Sequence, residues 1–167
     1  STGFWSEADR TQEVVEPGYY SVPLTRYNIL AEMTATERGG LHRYTFPASD
    51  EAAIILDLVH GGCFDRPEDL FAEAVSDTRV VGRRHSWGWS NNQKVYFVIE
   101  FSKPFDKFEP IGENGFYYRI HFKTEEGEQI GVKVALSSTS PAGAELNFST
   151  EVKDKDFDTV RKETRAK

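Results

Sequence analysis

A single cysteine, Cys63, and a single methionine, Met33, occur among the 167 residues. One cysteine allows no internal disulfide. It reads as a small buried hydrophobe rather than a reactive thiol, because buried cysteine is commonly inert. No apolar run approaches the roughly 20 residues that a membrane-spanning helix needs, and no signal-peptide pattern follows Ser1. Basic residues are outnumbered 27 to 20, for a net charge of −7. Such a chain repels phosphate backbones, so nucleic acid is not an expected partner. Nucleophile elbows, Walker loops, dinucleotide fingerprints and the close His or Cys spacings of zinc sites are all absent. The four histidines, His42, His60, His85 and His121, default to structural roles. His42, just past Arg38-Gly39-Gly40-Leu41, could be exposed. With 27 acidic residues, no two carboxylates stand out as a catalytic pair.

Aromatic residues are plentiful: 12 Phe, 7 Tyr and 3 Trp, which suits pleated, half-buried surfaces. Short strand-like runs recur between Gly, Pro, Asn and Asp, as in an antiparallel sandwich or barrel. Strands are expected at residues 19–24, 28–36, 42–46, 53–60, 70–76, 79–86, 94–102 and 144–151, with turns at Pro17-Gly18, Gly39-Gly40 and Gly61-Gly62. The clearest alternation spans residues 116–123, with Tyr118, Ile120 and Phe122 on one face and Arg119 and His121 on the other. The next run alternates Ile130, Val132, Val134 and Leu136 with Gly131, Lys133, Ala135 and Ser137. Joined by a polar stretch containing Gly127, the two read as an antiparallel hairpin. Tyr118, Ile120, Val132 and Val134 should be buried, and Arg119 and Lys133 exposed. Little helix is expected before Asp154.

From there the pattern changes. Asp156 is a plausible N-cap, with acidic residues early and basic residues late, as the helix dipole prefers. Residues 1–152 therefore read as one β-sandwich domain, and 153–167 as the start of a linker helix continuing past Lys167. Asp154, Asp156 and Asp158 open like a calcium loop, but Thr159 and Arg165 stand where Gly and Glu are required, so capping is favoured. Trp87-Gly88-Trp89 spaces two indoles at i and i+2, able to offer a sugar-stacking platform. The spacing favours a core position for Trp89 and leaves Trp87 open. Asn147-Phe148-Ser149 matches a glycosylation sequon by pattern alone.

Several stretches, in order, resemble glycoside hydrolase family 92. They are Pro17-Gly18-Tyr19-Tyr20-Ser21-Val22, Ala31-Glu32-Met33-Thr34-Ala35-Thr36-Glu37-Arg38 and His42-Arg43-Tyr44-Thr45-Phe46-Pro47. Farther on come Ile54-Ile55-Leu56-Asp57-Leu58, Gly88-Trp89 with Gln93, Val95, Tyr96 and Phe97, then Phe101-Ser102-Lys103-Pro104-Phe105, Val132-Lys133-Val134-Ala135-Leu136-Ser137 and Ala144-Glu145-Leu146-Asn147. Any one stretch is weak; the ordered set covers nearly the whole chain. There are departures. Arg10 stands near a histidine of the family's pattern, and Met33 replaces a usual leucine, a volume-conserving change.

The resemblance implies calcium-dependent, inverting exo-α-mannosidases, many acting on α-1,2-linked mannose of glycans. It puts the catalytic carboxylates and the calcium in an (α/α)₆ barrel beyond Lys167, which would be this domain's partner. This chain would then hold no catalytic or metal residue and no cofactor. It would form a wall of the cleft, with Trp87, Trp89, Arg38 and His42 as candidates, and would leave an exposed apolar patch where the barrel packs. The parent would be periplasmic, cell-surface or secreted. A free-standing carbohydrate-binding module and a structural interaction domain remain as alternatives.

Overall fold

The computed structural model describes residues 4–62 and 64–166, so the reading of Cys63 lies outside the described residues. Eleven strands follow in chain order: β1 (Val14–Glu16), β2 (Tyr19–Leu24), β3 (Ile29–Ala35), β4 (Gly39–Phe46), β5 (Ser49–Asp57), β6 (Asp65–Ala74), β7 (Arg79–Gly88), β8 (Gln93–Phe101), β9 (Lys107–Ile111), β10 (Tyr117–Thr124) and β11 (Glu128–Ser137). They build an antiparallel sandwich of unequal halves. An eight-stranded sheet runs β1-β2-β3-β4-β11-β8-β7-β6, and a three-stranded sheet runs β5-β10-β9. Between them lies a core that includes Phe46, Leu58, Phe101, Ile120, Phe122 and Ile130.

The tight β1–β2 turn falls at Pro17-Gly18 as expected. Gly18 has φ +73°, and a Cβ there would lie 2.6 Å from Thr164 Cγ2, so both the turn and the close approach need glycine. The Gly39-Gly40 turn does not form. Both residues start β4, and the reversal is made by residues 36–38, closed by Thr36 N–H donating to the Gly39 carbonyl at 2.9 Å. Strands β1 and β9, each five residues or fewer, were not expected.

The expected hairpin is also wrong. β10 pairs with β5 and β9, whereas β11 pairs with β4 and β8. The polar turn therefore carries the chain from one sheet to the other. Alternation shows which residues face a core, but not which strand lies alongside. Tyr118, Ile120 and Val132 are buried as expected. Val134, Arg119 and Lys133 are all half-buried, and Ala135 is fully buried while Leu136 is exposed. The reason is that β11 is covered on both faces, because helices pack on the side away from the three-stranded sheet.

Those helices replace the strand expected at 144–151. Helix α1 (Pro141–Asn147) runs into a π-helical turn (Phe148–Val152), followed by α2 (Phe157–Arg165). Ser140 caps α1, its Oγ accepting from Gly143 N–H at 2.9 Å, and Pro141 sits in the first turn. Buried Ala144, Phe148 and Val152 recur every four residues, a helical period. Helix before Asp154 remains short, as expected, but it stands where a strand was expected. Asp156 caps α2 as expected, its Oδ1 accepting from Thr159 N–H at 2.7 Å. Together with Phe157 and Val160, these side chains form a second core against Leu41, Val98 and Ala135.

Candidate functional site

Strand register brings several loops to one end of the eight-stranded sheet. The pairs Gly39↔Ala135, Ser137↔Tyr96 and Ser86↔Gln93 align the start of β4 with the end of β11, the start of β8 and the end of β7. Arg38, level by register with Leu136, Phe97 and Gly82, therefore lies toward the same end as the Trp87-Gly88-Trp89 run, but three strands across and five residues short of Trp87, on the order of 20 Å away.

Both indoles are outside the core. Trp89 is 93% exposed and Trp87 50%, which corrects the core position expected of Trp89. Trp87 is the next-to-last residue of β7, and Trp89 lies beyond the strand, at the start of a turn held by Asn92 with φ +65°. The strand alternation used to bury Trp89 no longer applies there. Phe64, which the sequence did not single out, joins this end fully exposed. It immediately precedes Asp65, which pairs with Gly88. A Cβ on Gly88 would lie 2.5 Å from the Phe64 carbonyl oxygen, so the glycine between the tryptophans is what lets the two backbones meet. That Gly was the available signal, but it names no partner.

A buried ion pair fixes this end. The Arg84 guanidinium donates to both Asp65 carboxylate oxygens, at 2.5 and 3.0 Å, and to the carbonyls of Leu58 and Val59 at 2.9 and 3.2 Å. The Arg84 guanidinium, with the Ser86 hydroxyl, holds the Asp65 carboxyl pKa down at about 2. The loop leading from β5 to Phe64 is thereby tied to β7.

The other two candidates are placed differently. Arg38 is exposed at the same end, but its groups are engaged. Its backbone N–H and guanidinium donate to Glu151 at 2.9 and 3.0 Å, and Thr36 Oγ1 donates to the same carboxylate. These bonds outweigh the effect of burial and lower the Glu151 pKa. Arg38 thus clamps the β3–β4 turn to the π-helical turn. His42 lies deeper, three residues into β4, and is not exposed. Its Nδ1 is 2.8 Å from the Tyr44 hydroxyl. Burial lowers the His42 pKa and pushes the Tyr44 phenol up to about 12. The structure therefore groups Trp87, Trp89 and Phe64, leaves Arg38 at the margin of that end, and separates His42 from it.

Among the described residues, no three His, Cys, Asp or Glu side chains come together as a metal site. In the Asp154-Asp156-Asp158 run, Asp156 caps α2 and Asp158 accepts from Arg43 at 3.3 Å, so the run does not fit calcium. No helix of the described residues is long and apolar enough to cross a membrane.

The described residues thus form a two-sheet sandwich with a helical layer on one face and an aromatic end. The profile of the glycosyl hydrolase family 92 N-terminal domain matches residues 1–137. The chain belongs to glycosyl hydrolase family 92, as part of its N-terminal domain. Among solved structures, it is similar to the family GH92 α-mannosidase BT3965 from Bacteroides thetaiotaomicron, with 28% identity and a TM-score of 0.88 over 96% of this chain and 24% of that one. The same enzyme in complex with mannoimidazole matches equally well, with 23% of that chain covered. The inverting GH92 mannosidase BT2199 from Bacteroides thetaiotaomicron VPI-5482 shares the fold at 24% identity and TM-score 0.81, with 96% of this chain and 23% of that one covered. This chain thus spans about a quarter of these relatives' length. Among curated proteins, none matches.

Proposed function

We propose that this domain forms one wall of the substrate cleft of an inverting exo-α-mannosidase that trims α-linked mannose, including α-1,2 linkages, from glycans. The observation that carries the proposal is the aromatic end: Trp87, Trp89 and Phe64 are held in water at one edge of the sheet. Large exposed rings grouped together mark a contact surface, and the apolar face of a pyranose packs on an indole. The similarity to an α-mannosidase solved with mannoimidazole supports mannose as the sugar.

The domain is non-catalytic in this reading. Inversion needs a positioned acid and a positioned base with room for a water between them. The acidic side chains singled out above are committed: Glu151 to Arg38, Asp65 to Arg84, Asp156 to the α2 cap. The acid, the base and the calcium belong to an (α/α)₆ barrel in the remainder of the enzyme, and the aromatic end orients the sugar toward them.

The test is an assay of the purified chain on α-1,2-mannobiose, with calcium and with a chelator. No turnover is expected in either condition, and folding should be unchanged by the chelator. Turnover that disappears when one of the chain's own carboxylates is substituted would overturn the assignment. Titration of the chain alone with the disaccharide separates this reading from a free-standing binding module, which would bind without the barrel.

A further inference from the structure

The sandwich is unequal, with eight strands facing three, and its four strand edges are not treated alike. An edge strand presents unpaired backbone groups, and proteins blunt such edges with short length, proline, charge or bulges. β1 has only three residues. β6 carries Arg66, Pro67 and Glu68 and a register shift between Pro67 and Asp69. β9 has five residues, including Lys107 and Pro110. β5 is the exception. It is nine residues long and has no proline or lysine, and its charges, Asp50, Glu51 and Asp57, and its register shift lie toward its ends, leaving the central Ala53-Ile54-Ile55-Leu56 unblunted.

The register shows which of its groups are free. Leu58 N–H donates to the Phe116 carbonyl at 3.3 Å, one step beyond the Tyr117↔Asp57 pair. In an antiparallel ladder hydrogen-bonded pairs alternate, so Leu56 and Ile54 bond to β10. The amides and carbonyls of Ile55 and Ala53 then point to the open edge. Beside that edge lies a cleft of about 540 Å³, lined by both faces of β5 and, across the gap, by Leu24, Ile29, Tyr44 and Phe46. Phe4 and Ser6 also line the cleft, the Phe4 ring 5.3 Å from that of Tyr117, and the backbone that follows bonds to the eight-stranded sheet side: Thr25 N–H donates to the Glu7 carbonyl at 2.9 Å, and Asp9 N–H to the Pro23 carbonyl at 3.0 Å. Arg119, beside Ile55 in register, also lines the cleft. It forms no ion pair with Glu109 directly opposite, because Glu109 is taken by Lys107 at 2.7 Å and His121 at 2.8 Å.

We propose that the edge of β5, unpaired among the described residues, accepts an extended polypeptide strand by β-augmentation, in the cleft between the two sheets. The incoming strand bonds the backbone of Ala53 and Ile55. Its alternate side chains are apolar and pack toward Ile29, Tyr44 and Phe46, and an acidic residue on its other face meets Arg119. Backbone bonds supply affinity and alternate side chains specificity, as in other strand additions.

The probe is an acetylated heptapeptide alternating valine with threonine and carrying one central aspartate, read by amide hydrogen exchange on the protein. At saturating peptide, exchange at Ala53 and Ile55 should slow by about tenfold or more, while Ile54 and Leu56, already bonded, should not change. The same peptide with asparagine for aspartate should bind several-fold more weakly. Ala53→Pro removes an outward amide without touching the β10 ladder and should abolish the protection. Unchanged exchange at Ala53 and Ile55 in the wild-type protein would overturn the proposal. So would protection of these amides without peptide in a protein that sediments as a dimer, because the occupant would then be a second copy.

Discussion

On one face of the eight-stranded sheet Phe46, Phe101 and Ile130 meet Ile120 and Phe122 of the smaller sheet, an interface dominated by apolar side chains. Against the other face, the helices bury a smaller core that includes Phe148, Val152 and Val160, and arginines rim it. Arg43 stacks 4.3 Å over Phe157, bonds both Glu32 oxygens at 2.7 and 2.8 Å, and reaches Asp158. Arg161 stacks 3.4 Å over Tyr19 and bonds Glu16. Arg79 lies 4.6 Å over Phe148 and joins Glu100 and Glu145. Apolar burial is non-directional and does not itself titrate, so on this face pH acts mainly through the inward His42, whose pKa burial lowers. Arginine stacks and ion pairs fix orientation, and they depend on protonation and salt. The sandwich is thus joined mainly by area, and the helical layer by a smaller area together with geometry.

The largest break should come from the apolar side. Phe122→Ala, at a position 1% exposed, should cost about 3–5 kcal/mol and lower the midpoint of global unfolding in denaturant. Next is Arg43→Met, which leaves Glu32 buried without its partner. A loss on the order of 3 kcal/mol is expected, with exchange protection falling first in α2 and β3 rather than in β10.

Acid should separate the two faces in the same sense. Hydrogen bonds from Arg43, helped by Tyr19, hold the Glu32 carboxyl below its ordinary pKa despite burial. A lowered folded-state pKa gives stability that is present above the unfolded value and lost as pH falls through the folded one. Below about pH 4 the helical layer should therefore loosen while the inter-sheet core persists, read as α2 amide exchange against β10 amide exchange. Equal loosening of both would contradict the distinction. A smaller effect is expected at the cap, where Asp156→Ala should cost about 1 kcal/mol in thermal unfolding and fray α2 alone. Smallest is Trp89→Ala, which should change stability by less than about 0.5 kcal/mol, because that ring is 93% exposed.

Legibility in the sequence follows the same division. Strand positions such as Tyr19–Leu24 and the burial of Tyr118 and Ile120 follow from local alternation. The separation of β10 from β11 does not, because pairing is a long-range choice that period two cannot express. Helix α1 was readable in principle from the Ser140-Pro141 start and the four-residue recurrence of Ala144, Phe148 and Val152. At the site, Trp87 and Trp89 were visible as residues, but their exposure depends on where β7 ends. Phe64 enters only through the Asp65↔Gly88 pairing. His42 was misjudged because Gly39-Gly40 is strand rather than turn, which carries the imidazole inward beside Tyr44.

The central claim, that the aromatic end contacts the sugar while contributing little to the fold, is tested most directly by kcat/KM in the full-length enzyme carrying Trp89→Ala. Loss of a stacking contact should lower kcat/KM on α-1,2-mannobiose by about tenfold or more, equivalent to roughly 1.4 kcal/mol, with an unchanged melting temperature. An unchanged kcat/KM in both this variant and Trp87→Ala would contradict the account.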